Sequence, residues 1–156
     1  MRPFALAIAA LLLLSSCTDE PEPIEPTAST RARPTAPSMP KEANADDPSG
    51  AATFVGYWVS TFNYAAQTGE VKPMLEHAQD CKPCRGYAKD FRALEPSDRA
   101  AGQVWRLSNV TVSPDRDPIQ VSAKVAIANE ERPSELVFVL NEKAPFELVD
   151  IYKSRS

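Results

Sequence analysis

Hydrophobic positions along the chain fall into three regimes. Phe4 to Leu14 is an unbroken apolar run of eleven residues, preceded by Met1-Arg2-Pro3. From Thr18 to Pro48 large apolar residues almost vanish, Ile24 and Met39 being the exceptions. From Ala51 onward they return with regular spacing. Phe54, Trp58, Phe62 and Ala65 recur at i, i+4, i+8 and i+11, and Val55, Val59 and Ala66 widen the stripe, which predicts a helix over Ala51 to Gln67. Thr68-Gly69 stops it, because glycine suits the left-handed position after a helix. A short second helix is predicted from Pro73 through Met74, Leu75 and His77, with proline in the first turn. Cys81-Lys82-Pro83-Cys84 makes a corner. A third helix then runs from Arg85 to Leu94 with Tyr87, Phe91 and Leu94 on one face, ended by Glu95-Pro96-Ser97.

After Gly102 the spacing changes to the alternation of strands. Val104 to Val112 is the first. In the second, Ile119, Val121, Ala123, Val125 and Ile127 alternate with Gln120, Ser122, Lys124 and Ala126, so one face is buried and the other wet. Leu136 to Leu140 is apolar on both faces, as expected of an interior strand covered on two sides, and Phe146 to Tyr152 closes the set. The connections, Ser113 to Pro118, Asn129 to Ser134 and Asn141 to Pro145, are short and rich in turn formers, so consecutive strands are expected to pair as antiparallel hairpins. The expected class is α+β: three N-terminal helices packed on one face of a curved four-stranded antiparallel sheet.

The first regime is too short to span a hydrocarbon core of roughly 30 Å and matches the apolar region of an export signal. It ends at Leu14-Ser15-Ser16-Cys17, which resembles the lipobox of bacterial lipoproteins. That resemblance implies cleavage after residue 16 and lipidation of Cys17, with diacyl and N-acyl chains holding the protein on the extracytoplasmic face of the cell membrane. Each buried CH₂ of such chains contributes about 0.8 kcal/mol of anchoring. Residues 17–48 carry seven prolines after the cysteine and four acids between Asp19 and Glu25. Too little surface can be buried there to offset chain entropy, so a disordered, partly extended tether is expected. The folded domain is expected over residues 49–156.

Charge narrows the partners. Residues 51–156 hold 13 Lys and Arg against 14 Asp and Glu, with no basic stripe, which argues against nucleic acid. The order Phe54-x-x-Tyr57-Trp58, Asn63-Tyr64-Ala65, Thr68-Gly69, Pro73-Met74, Cys81-x-x-Cys84 and then strands resembles a family of actinobacterial lipoproteins of unknown function, related in appearance to the NTF2-like (SnoaL-like) superfamily. The resemblance implies a cone-shaped α+β fold and leaves activity open, since that superfamily hosts isomerases, dehydratases and non-catalytic binding domains.

Few residues carry recognisable chemistry. With Cys17 assigned to lipid, Cys81 and Cys84 remain as a pair, read as a local disulfide pinning the corner between helices. The alternative is a redox-active CxPC turn, which normally follows a strand in a βαβ unit. Zinc fails for want of ligands, because His77 is the chain's single histidine. No metal or other cofactor is expected, and no GxSxG, SxxK, HExxH, P-loop or GxGxxG pattern occurs. Asp150 shares its strand alternation with Phe146, Leu148 and Tyr152, so it is a candidate for a carboxylate carried into an apolar cone, where burial would raise its pKa. The alternative is that this face, or the strand's end, meets solvent, and Val149 and Ile151 on the other face leave the choice open. The aromatic helix face of Phe54, Trp58 and Phe62, flanked by Tyr57 and Tyr64, reads as core and its rim. The alternative makes Trp58, Tyr64 and Trp105 the mouth of a ligand cavity, with Asn63 as a polar group in its wall. Asn109-Val110-Thr111 fits a glycosylation sequon but falls in a strand.

The leading expectation is therefore a lipid-anchored envelope protein whose domain binds an unidentified small ligand or envelope protein without catalysis. The alternatives are a cone-fold isomerase or dehydratase using Asp150 with Tyr64 or Asn63, and an envelope thiol-disulfide protein using Cys81 and Cys84.

Overall fold

A computed structural model describes residues 33–154, the side chains of residues 114–116 excepted. The expected export signal, the lipidation site Cys17 and the first part of the tether lie outside these residues. The described chain forms helices α1 (Pro48–Thr68), α2 (Lys72–Leu75) and α3 (Lys82–Ala93), then strands β1 (Trp105–Arg116), β2 (Ile119–Ile127), β3 (Ser134–Leu140) and β4 (Leu148–Lys153). The strands make one open antiparallel sheet in the order β1-β2-β3-β4.

α1 begins before the hydrophobic stripe does. Asp47 caps it, accepting a hydrogen bond from the Gly50 amide at 2.8 Å, and Pro48 takes the first turn, where its missing N–H costs nothing. Gly69, at φ +75°, closes the other end by donating to the Ala65 carbonyl. A side chain at Gly69 would also run into the Arg99 guanidinium lying across it, a cation placed where the helix C-terminus favours one.

The folded unit takes in part of what composition assigns to the tether. Lys41–Asn44 forms a 3-10 turn against α1, and Ala43 is fully buried in the core. Gly50 makes this possible, because a Cβ there would overlap the Ala45 carbonyl oxygen. The domain boundary expected at residue 49 therefore falls too late. Proline content marks a stretch that cannot fold alone, but α1 supplies the surface on which this one is ordered.

α1 is enclosed on most of its circumference, with thirteen buried residues. Its stripe of Phe54, Trp58 and Phe62 faces Phe138, Leu140, Val121 and Val125 of the sheet, with Phe146, Leu148 and Met74 filling the ends. Phe62 stacks on Trp105 at 4.1 Å between centroids and meets the edges of Tyr87 and Phe91 from α3 at 5.1 and 5.0 Å. Such offset and edge contacts are the favourable aromatic geometries. Removing a ring of this kind typically costs about 3–5 kcal/mol.

The sheet's register shifts at three places, between Ser108 and Thr111, between Val112 and Arg116, and between Val139 and Leu140, and the first and last of these are single-residue bulges. In β1, Ser108 pairs with Lys124 and Thr111 with Ser122, so Asn109 and Val110 together oppose Ala123; Asn109 sits at φ +50° and Val110 is exposed. In β4, Val139 pairs with Asp150 but Leu140 with Leu148, leaving Val149 as the extra residue, exposed by 43%. A bulge inverts the in–out alternation beyond it. Leu148 and Ile151 consequently both point inward.

The expectation that β3 is covered on two sides needs correction. Val137 is buried at 6% exposure, yet among the described residues no second layer of helices or strands covers that face. Its register neighbours, Ser122 on β2 and Tyr152 on β4, flank it instead.

One hydrogen-bonded group ties helix to sheet. The Asn63 side chain accepts from the Val104 and Trp105 amides, both at 2.9 Å, and donates to the Trp105 carbonyl at 2.8 Å. Replacing Asn63 with Ala leaves three main-chain groups at the start of β1 without partners, at about 1–3 kcal/mol for each one that stays dry. The expected loss is about 3 kcal/mol or more in urea unfolding, much larger than for the exposed Ser60→Ala on the same helix. Equal midpoints for the two variants would refute it.

Candidate functional site

The residues singled out in the sequence do not converge on a cavity. Trp58 is 1% exposed, and its indole N–H donates to the Met74 carbonyl at 3.0 Å, tying α1 to α2. Trp105 is 4% exposed and sits 6.5 Å from Trp58 between ring centroids. Both belong to the core rather than to the rim of a pocket. Asn63 is committed to the β1 main chain. Tyr64 leaves α1 in another direction, donating its phenol O–H to Glu70 at 2.7 Å. Aromatic rings occupy the space between helices and sheet.

Asp150 is exposed on the opposite face of the sheet, across from Val139, and its carboxylate accepts from the Ile151 amide at 2.9 Å. The alternation that aligned Asp150 with Leu148 is broken by the Val149 bulge, so of the two readings of Asp150 the solvated one holds and the inward carboxylate does not. His77 is half-buried just after α2, its ring edge-on to Phe54 and Tyr57, and its carbonyl accepts from the Leu148 amide at 2.8 Å. Among the described residues, no three His, Cys, Asp or Glu side chains are grouped to hold a metal ion.

Cys81 and Cys84 are disulfide-bonded, with α-carbons 5.2 Å apart and both residues fully buried. They do not form a corner ahead of the third helix, as the spacing suggested. Cys81 is the N-cap of α3, its sulfur accepting from the Cys84 amide at 3.2 Å, and Lys82 and Pro83 already belong to the first turn. The bridge thus clamps the opening turn of a helix that begins three residues earlier than its apolar spacing indicates.

The accessible relief lies elsewhere. A depression of about 480 Å³ opens between the C-terminal ends of α1 and α3 and the start of β1, floored by Ala66, Phe91, Leu94 and Val104 and edged by Asp98 and Asn129. A groove of about 650 Å³ crosses the outer sheet face at Gln120, Ser122, Val137 and Tyr152. Of these residues Gln120 and Ser122 are the polar half of the β2 alternation, which in sequence reads only as a wet face, whereas Val137 and Tyr152 carry no such signal.

Two expectations follow from this geometry. The Cys81–Cys84 ring is small, so by chain entropy its loss costs only about 2 kcal/mol. Because serine at 81 can still cap α3, the C81S/C84S double variant is expected to stay folded with a modestly lowered melting temperature. Failure of that variant to fold would mean that the bridge does more than clamp one turn. The second concerns pH. The hydrogen bond to Glu70, followed by burial, raises the Tyr64 pKa above its ordinary 10.0. Burial, with Glu76 adding to it, raises that of Tyr57. Burial, with Asp90 adding to it, raises that of Tyr87. A folded state that holds these protons more tightly than the unfolded chain is stabilised below pH ~10, and the contribution is lost as pH rises through the folded values. Stability is therefore expected to fall above that pH, and phenolate absorbance at 295 nm to rise later in the folded protein than in urea. Superimposable titrations would contradict this.

Comparison with curated proteins and with solved structures returns no match. The model of a family of unknown function, DUF6318, matches residues 25–132, which span α1 to β2 and the preceding turn. The chain belongs to this family.

Proposed function

We propose that the protein is a lipid-anchored component of the cell envelope, held by lipid on Cys17, whose domain is an NTF2-like cone with a filled interior and acts by binding at its surface. The observation that carries the binding part of this reading is the packing of Trp58, Phe62, Trp105 and Phe138 between helices and sheet. In a cone-fold enzyme that space would receive the substrate. The side chains that a catalytic version would use are engaged or turned away: Asn63 holds β1, Tyr64 bonds Glu70 and Asp150 lies outside. The thiol-disulfide alternative is weakened by the burial of both sulfurs, since exchange requires a thiolate to reach one of them.

The anchor reading is supported by the sequence at Leu14-Ser15-Ser16-Cys17 and by the polar, proline-rich segment after it. Among the described residues no helix is long and apolar enough to cross a membrane. In this reading membrane association depends on Cys17 alone. Cys17→Ala is expected to abolish incorporation of labelled palmitate and to move the protein from the membrane to the soluble fraction. Persistence of the variant with the membranes would overturn the proposal.

A further inference from the structure

The outer face of the sheet is organised in rows. Thr111, Ser122, Val137 and Tyr152 lie opposite one another across all four strands. Gln120, Val139 and Asp150 form a second row beside it, and Ser108, Lys124 and Glu135 a third. The Tyr152 ring is 43% exposed, and its hydroxyl donates to the Gln120 side-chain oxygen at 3.3 Å. The groove along Gln120, Ser122, Val137 and Tyr152 shares Ser122 with a second one of about 380 Å³ that includes Asn109, Thr111, Lys124 and Glu135. Together they make one track across the strands.

Its chemistry is specific. Hydroxyls and carboxamides offer donors and acceptors in both senses. Three charges line the track: Lys124 and Glu135, of opposite sign and directly opposite in register, and Lys153 next to Tyr152, so a single positive charge is left over. A phosphate or sulfate is held best by an arginine fork or by several converging cations. The track holds no arginine, and of its two lysines Lys124 is set opposite Glu135. A protein interface is centred on an apolar patch depleted of charge. Here the only aliphatic side chain in the central row, Val137, is nearly buried, and what is accessible around it is Ser122, Gln120 and Thr111, with Lys124 and Glu135 beside them. An aromatic face beside rigidly spaced hydroxyls and amides complements a chain of uncharged sugar rings, whose C–H faces stack while their hydroxyl rims form hydrogen bonds. The strands fix the spacing in advance, which lowers the ordering cost of binding.

We propose that this track binds an uncharged polysaccharide strand, with Tyr152 as the stacking platform and Gln120, Ser122 and Thr111 as hydrogen-bonding groups. The proposal deepens the surface-binding reading and rests on it. The test is affinity electrophoresis of the purified full-length chain through gels containing soluble β-glucan, xylan or galactomannan, with cosedimentation on insoluble chitin. Retention on at least one matrix is expected. It should weaken about tenfold in Tyr152→Ala, the equivalent of one lost ring stack. Thr111→Glu, at an exposed position where the fold is not at stake, should abolish it, while Glu131→Ala in the β2–β3 turn should leave it unchanged. Absence of retention on all four matrices, or equal retention of native, Tyr152→Ala and Thr111→Glu chains, would overturn the assignment. So would retention by heparin alone, or cross-linking from residue 152 to a protein only. Fractionation of the Cys17→Ala variant reads the anchor independently, so the anchor and the track can fail separately. Retention lost on every polysaccharide but kept on a protein would sink the track's ligand while leaving surface binding standing.

Discussion

The carboxamide of Asn63 closes three hydrogen bonds with the main chain of Val104 and Trp105, and the arrangement of helices over sheet hangs on that contact. β1 is an edge strand, and the start of such a strand carries main-chain groups with no neighbouring strand to pair with. A buried asparagine on α1 supplies the missing partner. It fixes where β1 begins, and with it the position of Trp105, whose ring completes the stack on Phe62. An apolar residue at 63 could fill the same space but would leave those groups dry and unpaired, which costs more than the packing returns.

From that tie the interior follows. Trp58 is oriented by its bond to the Met74 carbonyl, which also brings α2 against α1, and α3 is clamped at its first turn by the Cys81–Cys84 bridge. Polar anchors set the directions, and aromatic rings fill the remaining volume. The interior that could have held a ligand is thereby spent on stability. A domain of this size has few other ways to gather a core. Relief remains at the surface, on the sheet's outer face and in the depression beyond α3.

The β4 bulge shows how one residue redirects the side chains around it. Val149 breaks the alternation of β4, so Ile151 rather than Asp150 reaches the core. The same break places Asp150 and Tyr152 on the outer face, beside Gln120 and Val137. A reading that seeks an acid in a cone and one that seeks an aromatic on a platform differ here by a single unpaired residue.

Much of the architecture was legible in the residues. The Phe54, Trp58, Phe62 stripe, Gly69 as terminator and the alternation in β2 are local patterns, and local patterns follow from periodicity and backbone sterics. The start of α3 was missed because Cys81-Lys82-Pro83-Cys84 has no apolar spacing of its own, although a capping side chain followed by proline within the first turn is a helix-start signal. The ordered turn at Lys41–Asn44 was hidden because α1 alone provides its surface. For the site, sequence nominated Asn63 and Trp105 but not what they do, since neither the hydrogen bonds of an edge strand nor a ring stack across 43 residues has a local signature. What the sequence determined by itself was the set of elements and their antiparallel order. Which side chains faced inward was decided by the tertiary structure, because a bulge depends on strand register and register is settled only when the strands pair.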